Sequence, residues 1–375
     1  MWKKITDNKD VIFCFLGSKL FFVVILLITG ASYSEVLGFF DASHYRTIAQ
    51  FGYYHESVTV FFPMVPLLIR LVGDVGMVII NQIAYLVSLY FLKQILLKLK
   101  GGAKASTVLT AVALSPMALF TSIEYTESLF FLFTVVAFYL FVTDKYKLVM
   151  GVVLGLSVFT RNTGSLLFLA VFLGMVVRLV KDRAHAGKRV SDILLCYVPA
   201  TAISLIYPVF LQLKFGNWKI FMDAQYDYWI RIRSNIFKTT WISLKLIFTD
   251  AYEYKGIDTV ILFKINEVLS VGLMALVIVL IVREILIMKR TGKLNIPSFV
   301  GIIYSVLFML AICLTIRDPY LDCPTDSFYR YYTTLFPIYL GIGRFREKGA
   351  QLSFIVSTLV TVVTASMFCL EAFFF

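Results

Sequence analysis

The sequence is poor in charge. Only 15% of its 375 residues are Asp, Glu, Lys or Arg, where an ordinary soluble domain carries about a quarter. Hydrophobic residues make up 59%, and that balance excludes a soluble globular fold. Long polar stretches are also missing. The longest, residues 214 to 262, is itself rich in aromatics, so no sizeable soluble domain fits between the apolar runs. The five cysteines, Cys14, Cys196, Cys313, Cys323 and Cys369, have no paired spacing, which argues against a disulfide framework and a metal site. Four lie in or near apolar runs, where cysteine behaves as a small hydrophobe. No Asn-x-Ser/Thr sequon occurs.

What is present is a succession of apolar runs of membrane-spanning length, from residue 11 to residue 375. They specify an all-α polytopic membrane protein. Candidate spans are 11–31, 75–98, 106–122, 128–143, 147–160, 163–181, 192–213, 263–283, 297–316, 329–343 and 351–371, a bundle of about eleven transmembrane helices. Those at 147–160 and 329–343 fall short of the ~20 residues a full crossing takes and read as tilted, broken or partly re-entrant helices lining a cavity. The first run follows Lys3, Lys4 and Lys9. It is long and lacks a small-x-small cleavage site, so it reads as a retained anchor.

The net charge of +12 is topological and implies no nucleic acid. With the N-terminus in the cytoplasm, every basic cluster falls on that same side: Lys93 to Lys104, Lys145 and Lys147, Arg178 to Arg189, Arg283 to Lys293, and Arg344 to Lys348. This is the positive-inside pattern. The outer segments are then 32–74, 123–127, 161–162, 214–262 and 317–328, and they hold nearly all the unusual polar residues.

Within them, Phe39 to Tyr54 reads as a short amphipathic helix on the outer surface. Asp41, His44, Tyr45 and Ile48 share one face at i, i+3, i+4 and i+7, and Gly52 is a C-cap. Asp41 serves as N-cap, as a catalytic acid, or as both. Pro63 and Pro66 break helix geometry before the second span. Glu124 and Glu127, flanking Tyr125, are either solvated acids at a helix start or groups that orient a polar substrate. Arg161, an outward cation against the charge trend, either forks onto a phosphate or snorkels to headgroups. Residues 223–233 include Gln225, Trp229 and Arg231, either an interfacial aromatic belt or part of a site. Asp322, Asp326, Arg330 and Tyr331 lead into the next apolar run. Together these residues suit a phosphate-linked sugar: cations for phosphate, a carboxylate to take a proton, and aromatic faces for a sugar ring.

Phe40-Asp41-Ala42-Ser43-His44-Tyr45, with Ile48-Ala49 and Gly52-Tyr53, followed by Phe61-Phe62-Pro63 and Pro66-Leu67, resembles the opening of the glycosylphosphatidylinositol mannosyltransferase II family. That family belongs to the membrane-embedded type C (GT-C) glycosyltransferases. Further matches come in order: Leu114-Ser115-Pro116, Tyr125 to Phe130, Thr160 to Gly164, Ala224-Gln225 with Trp229 and Arg231, and Arg330-Tyr331 before Phe336-Pro337. Phe40 and Ala42 stand where the family usually has Trp and Gly. The resemblance implies one glycosyltransferase domain over residues 1–375, with segments 32–74 and 214–262 contributing to the active site. It implies inverting transfer of a mannose-like sugar from a polyprenyl-phosphate donor to a lipid or glycan acceptor on the extracytoplasmic side. Asp41 would be the general base. Substrate contacts would come from His44, Tyr45, Glu124, Tyr125, Glu127, Arg161, Gln225, Trp229, Arg231, Arg330 and Tyr331. His44 would hold Asp41 or touch phosphate, and Arg161 or Arg330 would stabilise the departing phosphate. The residues call for no metal and no cofactor, and leave room for an acid-bound divalent ion. The chain's length points to a prokaryotic plasma membrane, or to the endoplasmic reticulum in a eukaryote. Rival readings are a lipid-linked sugar transporter, which calls for ionisable groups near the midplane and inverted repeats, and a non-catalytic assembly subunit.

Overall fold

The computed structural model describes residues 8–249 and 257–369. The fold is 80% helical, and among the described residues β-structure is confined to one two-stranded ribbon. Seven helices are long and apolar enough to cross a membrane: α1 (Lys9–Thr29), α4 (Met64–Leu99), α9 (Gly164–Lys181), α10 (Ala186–Phe215), α13 (Ile257–Thr291), α14 (Ile296–Cys313) and α17 (Glu347–Cys369). The chain is therefore an all-α polytopic membrane protein.

The expected eleven spans are not all full-length helices. Two of the remaining four are single short helices, α7 (Glu127–Thr143) and α8 (Lys147–Thr160). The other two are broken. Segment 106–122 becomes α5 (Ala105–Ala113) and α6 (Met117–Phe120), and segment 329–343 becomes α15 (Phe328–Thr333) and α16 (Pro337–Gly343). Each break falls at a proline, Pro116 as the N-cap of α6 and Pro337 as the first residue of α16, where the missing N–H interrupts the run of helical hydrogen bonds. Both broken segments are almost wholly buried. Non-helical backbone is tolerated at membrane depth only inside protein. Apolar length reports burial against protein as readily as burial in lipid, and these four segments fall below the length at which a single helix crosses by length alone.

The second span also begins earlier than expected. Pro63 is the N-cap of α4 and Pro66 lies in its first turn, where a missing N–H breaks no helical bond. The actual break comes at Gly73, with φ 72° and ψ 175°. Further along, α8 and α10 approach closely. A Cβ at Gly151 would lie 2.0 Å from the Cys196 carbonyl oxygen, and one at Gly155 2.9 Å from that of Ala200. These two glycines, four apart, form the small-xxx-small face that lets backbones touch when no hydrophobic effect drives helices together. The main core lies between α4, α7 and α14, around Tyr85, Leu89, Phe138, Phe141, Tyr304 and Phe308.

The bundle has two chemically different ends. At one, Lys93 pairs with Asp10 at 2.6 Å, and Asp144 collects Lys147, Arg178 and Arg189. Burial alone would raise the Asp144 carboxyl, but these three cations outweigh it and hold it at about 2. Helices α4 and α9 carry the chain to this basic end, and α8 and α14 carry it away to the other. There, short elements gather: α2 (Tyr33–Leu37), α3 (Asp41–Phe51), a 3₁₀ turn (Glu56–Val60), α11 (Ile220–Asp227), α12 (Ile236–Phe248), and strands β1 (Arg231–Arg233) and β2 (Thr315–Arg317). The strands run antiparallel with Arg231 opposite Arg317.

Candidate active site

A cavity of about 380 Å³ opens among these short elements, within the size range of small-molecule sites. Asp41 lies in its wall as the first residue of α3. It is not the N-cap. Phe40 holds that position, at φ 57° and ψ −117°, and no side chain caps the helix. A bulky residue at positive φ is a strained outlier. Ile230 (φ 53°), directly before Arg231, and Ser327 (φ 64°), directly before α15 and three residues before Arg330, share the positive φ. Three site residues thus follow strained backbone, which persists only where the surrounding structure over-determines it. At Phe40 the surroundings are the Phe368 ring, 5.2 Å between centroids, and the Tyr125 hydroxyl. That hydroxyl donates to the Phe39 carbonyl and lies 3.3 Å from the Asp41 amide, which donates to it.

The Asp41 carboxylate is held by Arg330, whose Nη2 lies 2.7 Å from Oδ2. On its other edge, Arg330 Nε is 3.0 Å from Glu127 Oε1, in ion-pair range without the alignment of a hydrogen bond. The same Glu127 oxygen accepts a 2.7 Å bond from Arg161 Nη1, which also reaches Thr126 Oγ1 at 3.2 Å. Glu127 is fully buried, so two arginines compensate its charge from opposite sides. Both guanidinium groups face the Tyr331 ring, at 4.9 Å for Arg161 and 5.2 Å for Arg330. Asn81 on α4 fixes the loop that delivers Glu127, donating to the carbonyls of Ile123 and Tyr125. Below it, Lys19 of α1 donates to Thr121 and Ser122.

The opposite wall comes from α11, β1 and β2. Gln225, Trp229, Arg231 and Arg317 line it, with Asp326. Trp229 is anchored by its indole N–H on the Ser57 carbonyl at 2.8 Å. Arg317 is engaged by Asp322 at 2.5 Å and by Asp326 at 3.5 Å. Burial raises the Asp326 carboxyl above its ordinary range, partly offset by Arg317.

Of the residues singled out from the sequence, Asp41, Tyr45, Tyr125, Arg161, Gln225, Trp229, Arg231, Arg330 and Tyr331 line this one cavity. Three do not. Glu124 is bound bidentately by Arg46, at 2.7 and 2.8 Å. Glu127 sits behind the wall as the shared counter-ion. His44 stacks on Phe61, centroids 4.7 Å apart, and meets the edge of Trp229. Arg330, and not His44, therefore holds Asp41. Burial lowers the His44 imidazole below its ordinary pKa, with Asp41 opposing. Arg161 points inward to Glu127 and does not snorkel outward. Burial raises the phenols of Tyr45 and Tyr125 well above their usual range, so both remain protonated donors. Among the described residues, no three histidine, cysteine or carboxylate groups converge as metal ligands.

Sequence reasoning missed Arg317. It directly follows an apolar run, where an arginine reads as a snorkelling anchor, and only its strand pairing with Arg231 draws it to the cavity. No family model, curated protein or solved structure matches the chain.

Proposed function

We propose that this chain is a membrane-embedded glycosyltransferase of the GT-C type, similar to the glycosylphosphatidylinositol mannosyltransferase II family. It would transfer a mannose-like sugar, with inversion, from a polyprenyl-phosphate donor to a lipid or glycan acceptor. The reading also sets the N-terminus in the cytoplasm and the cavity on the extracytoplasmic side of a prokaryotic plasma membrane. One observation carries it: a single cavity at the end of the bundle holds the Asp41 carboxylate, four arginines, and the faces of Tyr45 and Trp229.

The chemistry follows from that inventory. Asp41 takes the proton of an acceptor hydroxyl as its oxygen attacks the anomeric carbon. The bond from that carbon to the phosphate oxygen breaks on the opposite face, and the polyprenyl phosphate leaves with the electron pair. Negative charge gathers on the phosphate, so preorganised cations supply the main stabilisation. General-base assistance contributes roughly 10²–10⁴-fold. Arg330 orients the base through its 2.7 Å contact, and Glu127 in turn holds Arg330.

The transporter reading has one observation of its own, the Lys19 ammonium midway along α1. That group is engaged by two hydroxyls, and Lys19 does not line the cavity, which favours a structural role. The direct test supplies purified full-length protein with polyprenyl-phosphate-[³H]mannose and a membrane lipid extract. Transfer is expected, with loss in Asp41→Asn. No transfer to any acceptor fraction overturns the reading, and a wild-type rate in Asp41→Asn removes Asp41 as base.

A further inference from the structure

The cations expected to receive a phosphate are already occupied. Arg161 and Arg330 share Glu127, and Arg330 also holds Asp41. Arg317 is engaged by Asp322 and Asp326. The fourth arginine of the cavity is different. Among the described residues, no carboxylate lies within ion-pair distance of Arg231. Its side-chain hydrogen bond is a long one, 3.4 Å from Nη1 to the Thr315 carbonyl. It is half-buried, so its guanidinium is partly stripped of water with no counter-ion in contact.

We infer that Arg231 is the primary anion-binding residue of this cavity, and that its ligand is the phosphate of a lipid-linked substrate. This inference rests on the glycosyl-transfer reading for the identity of the lipid, and on the cavity alone for the anion.

Three further features agree. Gln225 also lines the cavity, and its amide makes no hydrogen bond among the described residues, leaving donors free for phosphate or sugar oxygens. Arg231 is held in place by its backbone: it sits in the β1–β2 ribbon opposite Arg317 and follows the positive-φ Ile230. The ribbon thus fixes where the side chain leaves the backbone, and the contact to the Thr315 carbonyl is the side-chain hydrogen bond beyond it. The N-terminus of the 18-residue helix α9 also opens on the cavity through Asn162, Thr163 and Ser165, and its dipole adds positive potential. A phosphate seated on Arg231 would leave the Asp41–Arg330–Glu127–Arg161 chain intact. The base and the anion site are then separate assemblies facing one space, and the sugar lies between them.

The test uses the full chain in detergent with a C15 prenyl monophosphate, and the matched prenol as uncharged control. Binding is read as a shift in unfolding temperature and by titration of tryptophan fluorescence. Wild type should bind the phosphate and discriminate against the prenol. Arg231→Gln should lose about tenfold or more in affinity, with Arg231→Lys between. Without ligand, Arg231→Gln should unfold close to the wild-type temperature, because Asp326, which feels Arg231 only at longer range, keeps its contact with Arg317. Wild-type affinity in Arg231→Gln overturns the assignment and leaves glycosyl transfer standing. Wild-type failure to distinguish phosphate from prenol overturns both. Arg231-dependent binding without sugar transfer supports the anion site and removes the transferase reading.

Discussion

Asp41 Oδ2 and Arg330 Nη2 lie 2.7 Å apart, although 289 residues separate them in sequence. The arginine also reaches Glu127, so one rigid planar group bridges two carboxylates, the proposed base and the buried Glu127. Lysine offers a point charge and cannot bridge both. Arg330→Lys should therefore cut transfer on the order of 10²-fold, the scale of a misplaced catalytic group. Its unfolding temperature should also fall. A variant matching wild type in both would show that the bridge positions nothing.

Glu127 is the most structurally committed acid of the site. Its side chain is 0% exposed, against 21% for Asp41. Glu127→Gln leaves two buried arginines short of a counter-ion, and breaking a buried pair costs about 3–5 kcal/mol. Thermal unfolding in detergent should rank Glu127→Gln well below Asp41→Asn. The reverse order would contradict the shared-counter-ion description.

His44 sets a pH dependence. The unfolded chain takes up its imidazole proton near 6.5, whereas burial against Phe61 and Trp229 lowers the value in the folded protein, with Asp41 opposing. Between those two values the unfolded state binds more protons, so stability falls as the pH drops below about 6.5. His44→Gln should remove that part of the loss between pH 7.5 and 5, measured as the change in unfolding temperature. Parallel profiles for the variant and wild type would refute it.

Gly151 tests the fold away from the cavity. A Cβ there would meet the Cys196 carbonyl oxygen at 2.0 Å, so Gly151→Ala must push α8 from α10. Overpacking of this kind costs about 1–3 kcal/mol. Because α8 ends at Arg161, activity should fall along with unfolding temperature. A variant as stable as wild type would mean that the two helices separate freely.

Local signals were legible in the sequence and long-range ones were not. The i, i+3, i+4 pattern and Gly52 located α3, whose C-cap Gly52 has φ 71°. Apolar length located the seven long helices. It could not show that segment 106–122 divides into α5 and α6. Arg161 stood out by running against the charge trend and the other acids and arginines by lying in the segments away from the basic clusters, and nine of the chosen residues line the cavity. Their pairing was invisible. Nothing near Glu127 in sequence signals that Arg161 and Arg330 both belong to it, and Arg46 was not expected to claim Glu124. Such partners are set by how helices cross, a property of the whole bundle.

The broken segments 105–120 and 328–343 have a consequence for how the protein is made. Each is sheathed by other helices, so neither meets lipid as an independent stop in the finished protein. Their breaks leave backbone groups that require protein neighbours, and for the first segment these include Ser357 and Thr361 of α17, which donate to the carbonyls of Ala111 and Leu114 and are synthesised after α5 and α6. During insertion the early segment must wait, loosely held, for later helices to enclose it. Truncations used to map topology should then report positions for residues near 122 that change as the chain is lengthened, settling only when the last third of the protein has entered the membrane.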